Sequence, residues 1–302
     1  MIYDIRHVTT YNYGSPVTFA QCTLALTPTT AIGQMVERAS LTVDPKPRVL
    51  TTHRSFFGHT VALAQIDVPH TELKIEARAR VVVDRPKPGL LASGATPDTV
   101  RAEAIASRTT GADGPAHYVF ETSRIHLHPT MTAYAAMSFA PERPVLEAGQ
   151  DLMRRIRSEF RYDPDATRVS TSPLEAFEKR HGVCQDFAHV MIAGLRGLGL
   201  PARYVSGYIR TIPPDGQPRL EGADATHAWV DLWCGQSIGW VGLDPTNAIP
   251  AGNDHIVLAT GRDYDDVAPV GGVLLGTSDQ TITVNVDVIP VTGPASSKAA
   301  PV

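Results

Sequence analysis

Cysteine is scarce in this chain. Cys22, Cys184 and Cys234 are too few and too odd in number for a disulfide framework. Lysine is scarcer than usual too: Lys46, Lys74, Lys87, Lys179 and Lys298 are the only ones, and the other basic residues are arginine. The 27 basic side chains are outnumbered by 31 acidic ones, giving a net charge of −4. That lacks the basic footprint which phosphate backbones select, so a nucleic-acid partner is not expected. No stretch of about 18 apolar residues exists, so no membrane span is expected. The start, Met1-Ile2-Tyr3-Asp4-Ile5-Arg6-His7, has no basic segment leading into an apolar run, and no secretory signal is visible. These absences together lead to the expectation of a cytoplasmic protein.

What is present is an ordinary globular composition, 43% hydrophobic and 19% charged over 302 residues, enough for one large domain or two modest ones. The first part reads as strands. From Leu73 to Val83, apolar Leu73, Ile75, Ala77, Ala79, Val81 and Val83 alternate with Lys74, Glu76, Arg78 and Arg80, the period of a half-buried strand. Shorter pieces at 3–8, 17–26 and 61–68 lie between turn formers, so residues 1–85 are expected to form an antiparallel β domain. Asp84-Arg85-Pro86-Lys87-Pro88-Gly89 breaks the pattern, and 86–140 reads as a polar connection with weak helical stretches.

Helical spacing returns at Val145, Ala148, Leu152, Ile156 and Phe160. A second helix is announced by Ser172, Pro173 and Glu175 and stopped by Gly182. A third runs from about Cys184 to Leu198, with Gly199 and Pro201 at its exit. Strands follow at 204–209 and on both sides of Cys234 to Ser237, separated by a Pro/Gly-rich loop from Thr211 to Gly222. One more alternating strand spans 281–289. The expected core is 141–291, and the Pro/Ala/Ser-rich tail 292–302 is expected to be disordered.

Chemistry is suggested at Cys184. A thiol becomes nucleophilic on losing its proton, and the unpaired N–H groups of a helix's first turn favour the thiolate and can hold an oxyanion. Gly182-Val183-Cys184 puts the thiol at such a turn. A lone cysteine is equally a small buried hydrophobe, and only a well-placed base tips the balance. His227 is that candidate base. It shares a strand face with Trp229, Asp231 and Trp233, and an antiparallel hairpin turning at Gly235-Gln236 would set His227 opposite Asp244 and Asp231 opposite Trp240. Asp244 could then accept from one imidazole nitrogen while the other faces the thiol. The plain alternatives are a core histidine and a turn aspartate before Pro245.

The same residues carry a family resemblance. Gly182-Val183-Cys184-Gln185-Asp186-Phe187-Ala188-His189, the run from Gly199 to Tyr208, Thr226-His227-Ala228-Trp229-Val230 and the run from Trp240 to Asn247 resemble the bacterial transglutaminase-like proteins. So do Gly261 to Tyr264 and Asp266 to Pro269, with Tyr11, Tyr13, Pro16-Val17 and Leu26-Thr27-Pro28 near the start. The likeness spans nearly everything except 86–140 and the tail. It implies an α+β fold, with the β domain followed by a papain-like core. By matching positions it implies Cys184 as nucleophile, His227 as general base and acid, and Asp244 as orienting carboxylate. Thr226 stands where Ser is usual, Asp231 where Glu is usual and His59 where Asn is usual, which leaves substrate preference open.

Other residues have plainer readings. Asp186, two residues past the nucleophile, suggests a structural brace. His181, Cys184, His189 and Cys234 fit no standard zinc spacing, so neither metal nor cofactor is expected. Trp229, Trp233 and Tyr162 could line a cleft or simply fill the core, and Arg262, Asp263 and Tyr264 could form an ion-pair corner or a cleft wall. Cys22 reads as inert. The expected activity is hydrolysis of a peptide, protein or other amide through an acyl-enzyme, with transfer to an amine as the rival. A non-catalytic binding or scaffold protein is the third possibility.

Overall fold

The computed structural model describes residues 1–85, 94–211, 224–276 and 279–291. Six strands come first: β1 (Ile2–Val17), β2 (Phe19–Leu24), β3 (Gln34–Asp44), β4 (Val49–Arg54), β5 (Thr60–Ile66) and β6 (His70–Val83). Helices α1 (Pro97–Ala106), α2 (Pro129–Ala136) and α3 (Val145–Glu159) follow. Next are β7 (Arg161–Tyr162), α4 (Pro173–Lys179), β8 (His181–Gly182) and α5 (Cys184–Gly197). The chain ends with β9 (Ala202–Ile209), β10 (Ala225–Trp233), β11 (Trp240–Asp244), β12 (Ile249–Pro250), β13 (His255–Gly261), β14 (Val270–Leu275) and β15 (Gln280–Pro290).

The expected period-two strand is β6, which buries Leu73, Ile75, Ala77, Ala79, Val81 and Val83 while its charged residues face outward. The strands of the first region form two four-stranded antiparallel sheets, ordered β15-β1-β6-β3 and β14-β2-β5-β4. Their inner faces share one apolar cluster that includes Val17, Leu24, Ile66, Leu73 and Ile75. Each sheet takes one strand from the end of the chain. The alternating run at 281–289, grouped with the core on sequence, is β15 and pairs with β1 over eleven residue pairs from Tyr3↔Pro290 to Tyr13↔Gln280. Without it β1 would present an open edge, which sheets avoid.

The second unit is a five-stranded antiparallel sheet, β12-β11-β10-β9-β13, covered by α5 and its neighbours. α5 begins where expected, and its burial runs all the way round. Every residue from Gln185 to Arg196 is buried, because α2, α3 and α4 surround it on the sides that β9 and β10 leave open. α1 and α2 lie inside the stretch read as a polar connection, yet Val100, Ala104, Met131, Tyr134 and Ala135 belong to the main core. A third apolar cluster ties the units together: Tyr3, Ile5, Val286 and Val288 pack with Tyr208, Ile256 and Leu258. The Pro/Gly-rich loop expected at 211–222 and the tail expected at 292–302 lie, apart from Thr211, outside the described residues.

Candidate functional site

α4 sets the approach to α5. Ser172 caps its start by accepting from Glu175 N at 3.2 Å, and Arg180 ends it in a left-handed conformation with φ 56°. β8 then runs parallel to β7, and Val183 leads into α5. The Asp186 carboxylate turns back to accept from Val183 N at 2.8 Å and from Thr167 Oγ1 at 2.6 Å, the brace its position suggests. Burial raises the Asp186 pKa, and these two bonds partly oppose the rise. The first bond within the helix runs from Phe187 N to Val183 O at 3.1 Å. The N–H groups of Cys184, Gln185 and Asp186 therefore sit in the donor-rich first turn. Cys184 is half-buried there, whereas Cys22 and Cys234 are buried. Burial pushes the Cys22 thiol up and the Cys234 thiol up to about 12.

β10 and β11 deliver the other two residues. The expected hairpin register is off by two residues: Asp231 lies opposite Gly242 and Trp233 opposite Trp240. The cause is the connection. In place of the expected tight turn, Cys234 to Gly239 form a six-residue loop closed by Cys234 N to Gly239 O and Gly239 N to Gly235 O, both at 2.8 Å. Gly235 and Gly239 adopt φ of 94° and 76°, which glycine accommodates readily. A shift of two preserves the face, so Asp244 meets His227 diagonally instead of head-on. His227 Nε2 donates to Asp244 Oδ2 at 2.8 Å, with both side chains buried.

Asp244 is the most heavily bonded group in the site. Thr246 N and Asn247 N donate to Oδ1 at 2.9 and 3.2 Å, while Asn247 Nδ2 and His255 Nε2 donate to Oδ2 at 2.7 and 3.1 Å. Burial alone would raise the carboxyl pKa, but hydrogen bonds led by those from His227 and His255 hold it well below the usual range. Burial would lower the His227 ring in the same way. The bond to Asp244 and the nearby Cys184 thiol, with their charges, outweigh it and lift the ring to about 10. The imidazole thus commits Nε2 to Asp244 and lies within electrostatic reach of the Cys184 thiol.

His255 is not among the residues that the sequence singles out, and no local signal marks it. It heads an apolar strand, and only the folded sheet brings it to Asp244. Among the described residues, His227, Asp244 and His255 are the group whose ligand atoms lie close enough to hold an ion, within 4.8 Å of one another. His181, Cys184, His189 and Cys234 are not brought together. His189 Nε2 accepts from Tyr264 N, and Cys234 Sγ bonds Leu232 O. Trp229 and Trp233 are core residues, whereas Tyr162 is 51% exposed and within electrostatic reach of Cys184. Arg262 pairs with Asp266 and Asp263 caps the turn at Tyr264, an ion-pair corner.

Comparison with known proteins adds to this geometry. Residues 3–82 match the bacterial transglutaminase-like N-terminal region, and residues 132–245 match the transglutaminase-like superfamily. An uncharacterised protein of Mycobacterium tuberculosis is 38% identical over 97% of this chain and 94% of its own length. One from Mycobacterium leprae is 31% identical over 94% of this chain and 97% of its own. A protein-glutamine gamma-glutamyltransferase of Pseudomonas aeruginosa is 32% identical over a shorter stretch, 32% of this chain and 16% of that protein. A candidate cysteine protease from Cytophaga hutchinsonii has the same fold, with a TM-score of 0.70 at 21% identity over 97% of this chain and 92% of that one. Among the described residues no helix is long and apolar enough to cross a membrane.

Proposed function

The chain belongs to the bacterial transglutaminase-like family, and from that premise we propose that it transfers acyl groups from amides through Cys184, His227 and Asp244. The observation that carries the reading is one buried imidazole bonded to Asp244 at 2.8 Å, its pKa raised by that bond first and by the Cys184 thiol second. A ring that keeps its proton through the neutral range can stand beside a thiolate as its counter-charge.

The Cys184 sulfur attacks the amide carbon, and the first-turn N–H groups of α5 receive the developing oxyanion. The C–N bond then breaks as His227 passes its proton to the leaving amine, and a thioester remains. Water resolves it: His227 takes a proton from the water, its oxygen bonds the acyl carbon, and the thiolate leaves. Asp244 holds the ring through both halves without taking a proton. The substrate is a peptide, protein or other amide. Resolution by a primary amine is the second reading, favoured by the likeness between part of this chain and the Pseudomonas transferase.

Iodoacetamide labelling with mass-spectrometric site mapping tests the assignment. Cys184 should react at neutral pH at least tenfold faster than Cys22 or Cys234, and equal labelling of all three would sink it. A trapped acyl-enzyme offered water against a primary amine then separates hydrolysis from transfer.

A further inference from the structure

Two histidines donate to the same oxygen of Asp244, but only His227 also answers to the Cys184 thiol. The second histidine has its own supports. Gly252 N donates to His255 Nδ1 at 3.2 Å, so the ring's proton sits on Nε2, the nitrogen aimed at Asp244 Oδ2. His255 is 1% exposed, and Trp229 packs against its ring edge-on at 5.2 Å between centroids. Burial lowers its pKa, and the bond to Asp244 only partly compensates, so it acts as a neutral donor.

The backbone carrying His255 is gripped by the first β domain. Arg85, just past the end of β6, donates through Nη1 to Gly252 O at 2.8 Å and to His255 O at 2.6 Å, and its own N–H bonds Asn253 Oδ1 at 2.8 Å. Gln34, at the head of β3, accepts from Val257 N and donates to Val257 O, both at 2.8 Å. Its side chain thereby acts as one more strand residue beside β13.

Resting on the functional reading above, we infer that His255 is a positioning residue for the reaction. It fixes the Asp244 carboxylate that orients His227, and it is itself fixed from the first β domain through Arg85 and Gln34. Thr246 and Asn247 secure the carboxylate from its own loop, whereas His255 is the donor, besides His227 itself, that reaches Oδ2 from another strand. Without that donor the carboxylate loses a charge-assisted bond and is held by its own loop and His227 alone, so it can turn away from the ring. The charged or titratable groups facing His227 are Cys184 from α5, Asp244 from β11 and His255 from β13, and Arg85 stands behind His255.

The test compares three variants by the rate of Cys184 alkylation across pH, which requires no known substrate. His255→Gln carries an N–H donor near the place of Nε2. His255→Asn carries one that is too short to reach, and His255→Phe keeps the ring shape without a donor. Asn and Phe should move the midpoint of the reactivity profile toward alkaline pH by about half a unit or more, which makes the reaction roughly threefold slower on its acid side. Gln should stay with the parent. If Phe fails to fold, the Asn–Gln pair still decides the matter. Profiles unmoved in Asn, moved equally in Gln and Asn, or moved toward acid overturn the inference alone. A parent Cys184 no more reactive than Cys22 and Cys234 overturns the functional reading and this inference with it.

Discussion

At the scale of single residues, the thiol and the carboxylate make separable contributions. Cys184→Ala removes one sulfur at a helix start where alanine is well suited, so the thermal midpoint should stay near the parent while amide cleavage or exchange disappears. Unfolding of that variant, or full activity in it, would show the thiol to be a core atom. Asp244→Asn should cost more than a hundredfold in rate, because an amide presenting N–H to Nε2 favours the wrong tautomer and does not stabilise the charged ring. It should also lower stability, since Oδ1 and Oδ2 take five donors. A thermal melt beside a rate measurement separates the two effects. The place of Cys184 at a helix start and of Asp244 on the His227 face is legible in the sequence, since helix-start spacing and strand parity are local. His255 is not, because Asp244 lies 11 residues before it in a different strand and only tertiary folding joins them.

At the scale of elements, the strand faces are readable and their register is not. Alternation fixes which side chains share a face, so Asp244 has to lie on the side of His227. Register depends on how many residues the turn consumes, and Gly235 gives no sign that the connection extends to Gly239. The all-round burial of α5 is hidden for a similar reason: its polar residues His189 and Arg196 look like a solvent face until their partners are known. Arg196 is satisfied by the carbonyls of Phe120, Ala202 and Arg262, which no local pattern announces. Two substitutions probe this packing. Leu195→Ala should lower stability by about 2–5 kcal/mol through a core cavity while the folded fraction keeps its thiol reactivity. Gly207→Ala should also destabilise, by about 1–3 kcal/mol, because an added Cβ would lie 2.1 Å from Ile256 O and 2.6 Å from the Trp229 ring. Denaturant melts give both values, and tryptophan fluorescence should shift only in the second.

At the scale of the whole molecule, acid should loosen the joint between the two units. His7 is buried on β1, bonded to the Tyr208 hydroxyl of β9 at 2.9 Å, and burial lowers its pKa from 6.5 to about 4. The folded pKa lies below the unfolded one. The contribution is therefore intact above about pH 6.5 and is lost as pH falls toward 4, at up to about 1.4 kcal/mol per pH unit. His189, lowered to about 3 by burial, adds a loss of the same sign. Thermal midpoints should drop between pH 6.5 and 4, and His7→Gln should flatten part of that slope; an equally steep slope in the variant would place the loss elsewhere.

The return of the chain through β14 and β15 bears on the order in which the protein is made. Val291 N bonds Ile2 O at 2.8 Å, so the first and last strands meet side by side although synthesis separates them by nearly the whole chain. A ribosome releases β1 to β6 early, but their sheets gain closing strands only after about 200 further residues have emerged. The second unit, whose strands and helices from α2 to β13 follow one another closely, can assemble first. The amino-terminal strands meanwhile wait with open edges that invite pairing with other chains. A nascent chain stalled after residue 85 should therefore stay protease-sensitive, whereas release of the full chain should bring protection of both units together.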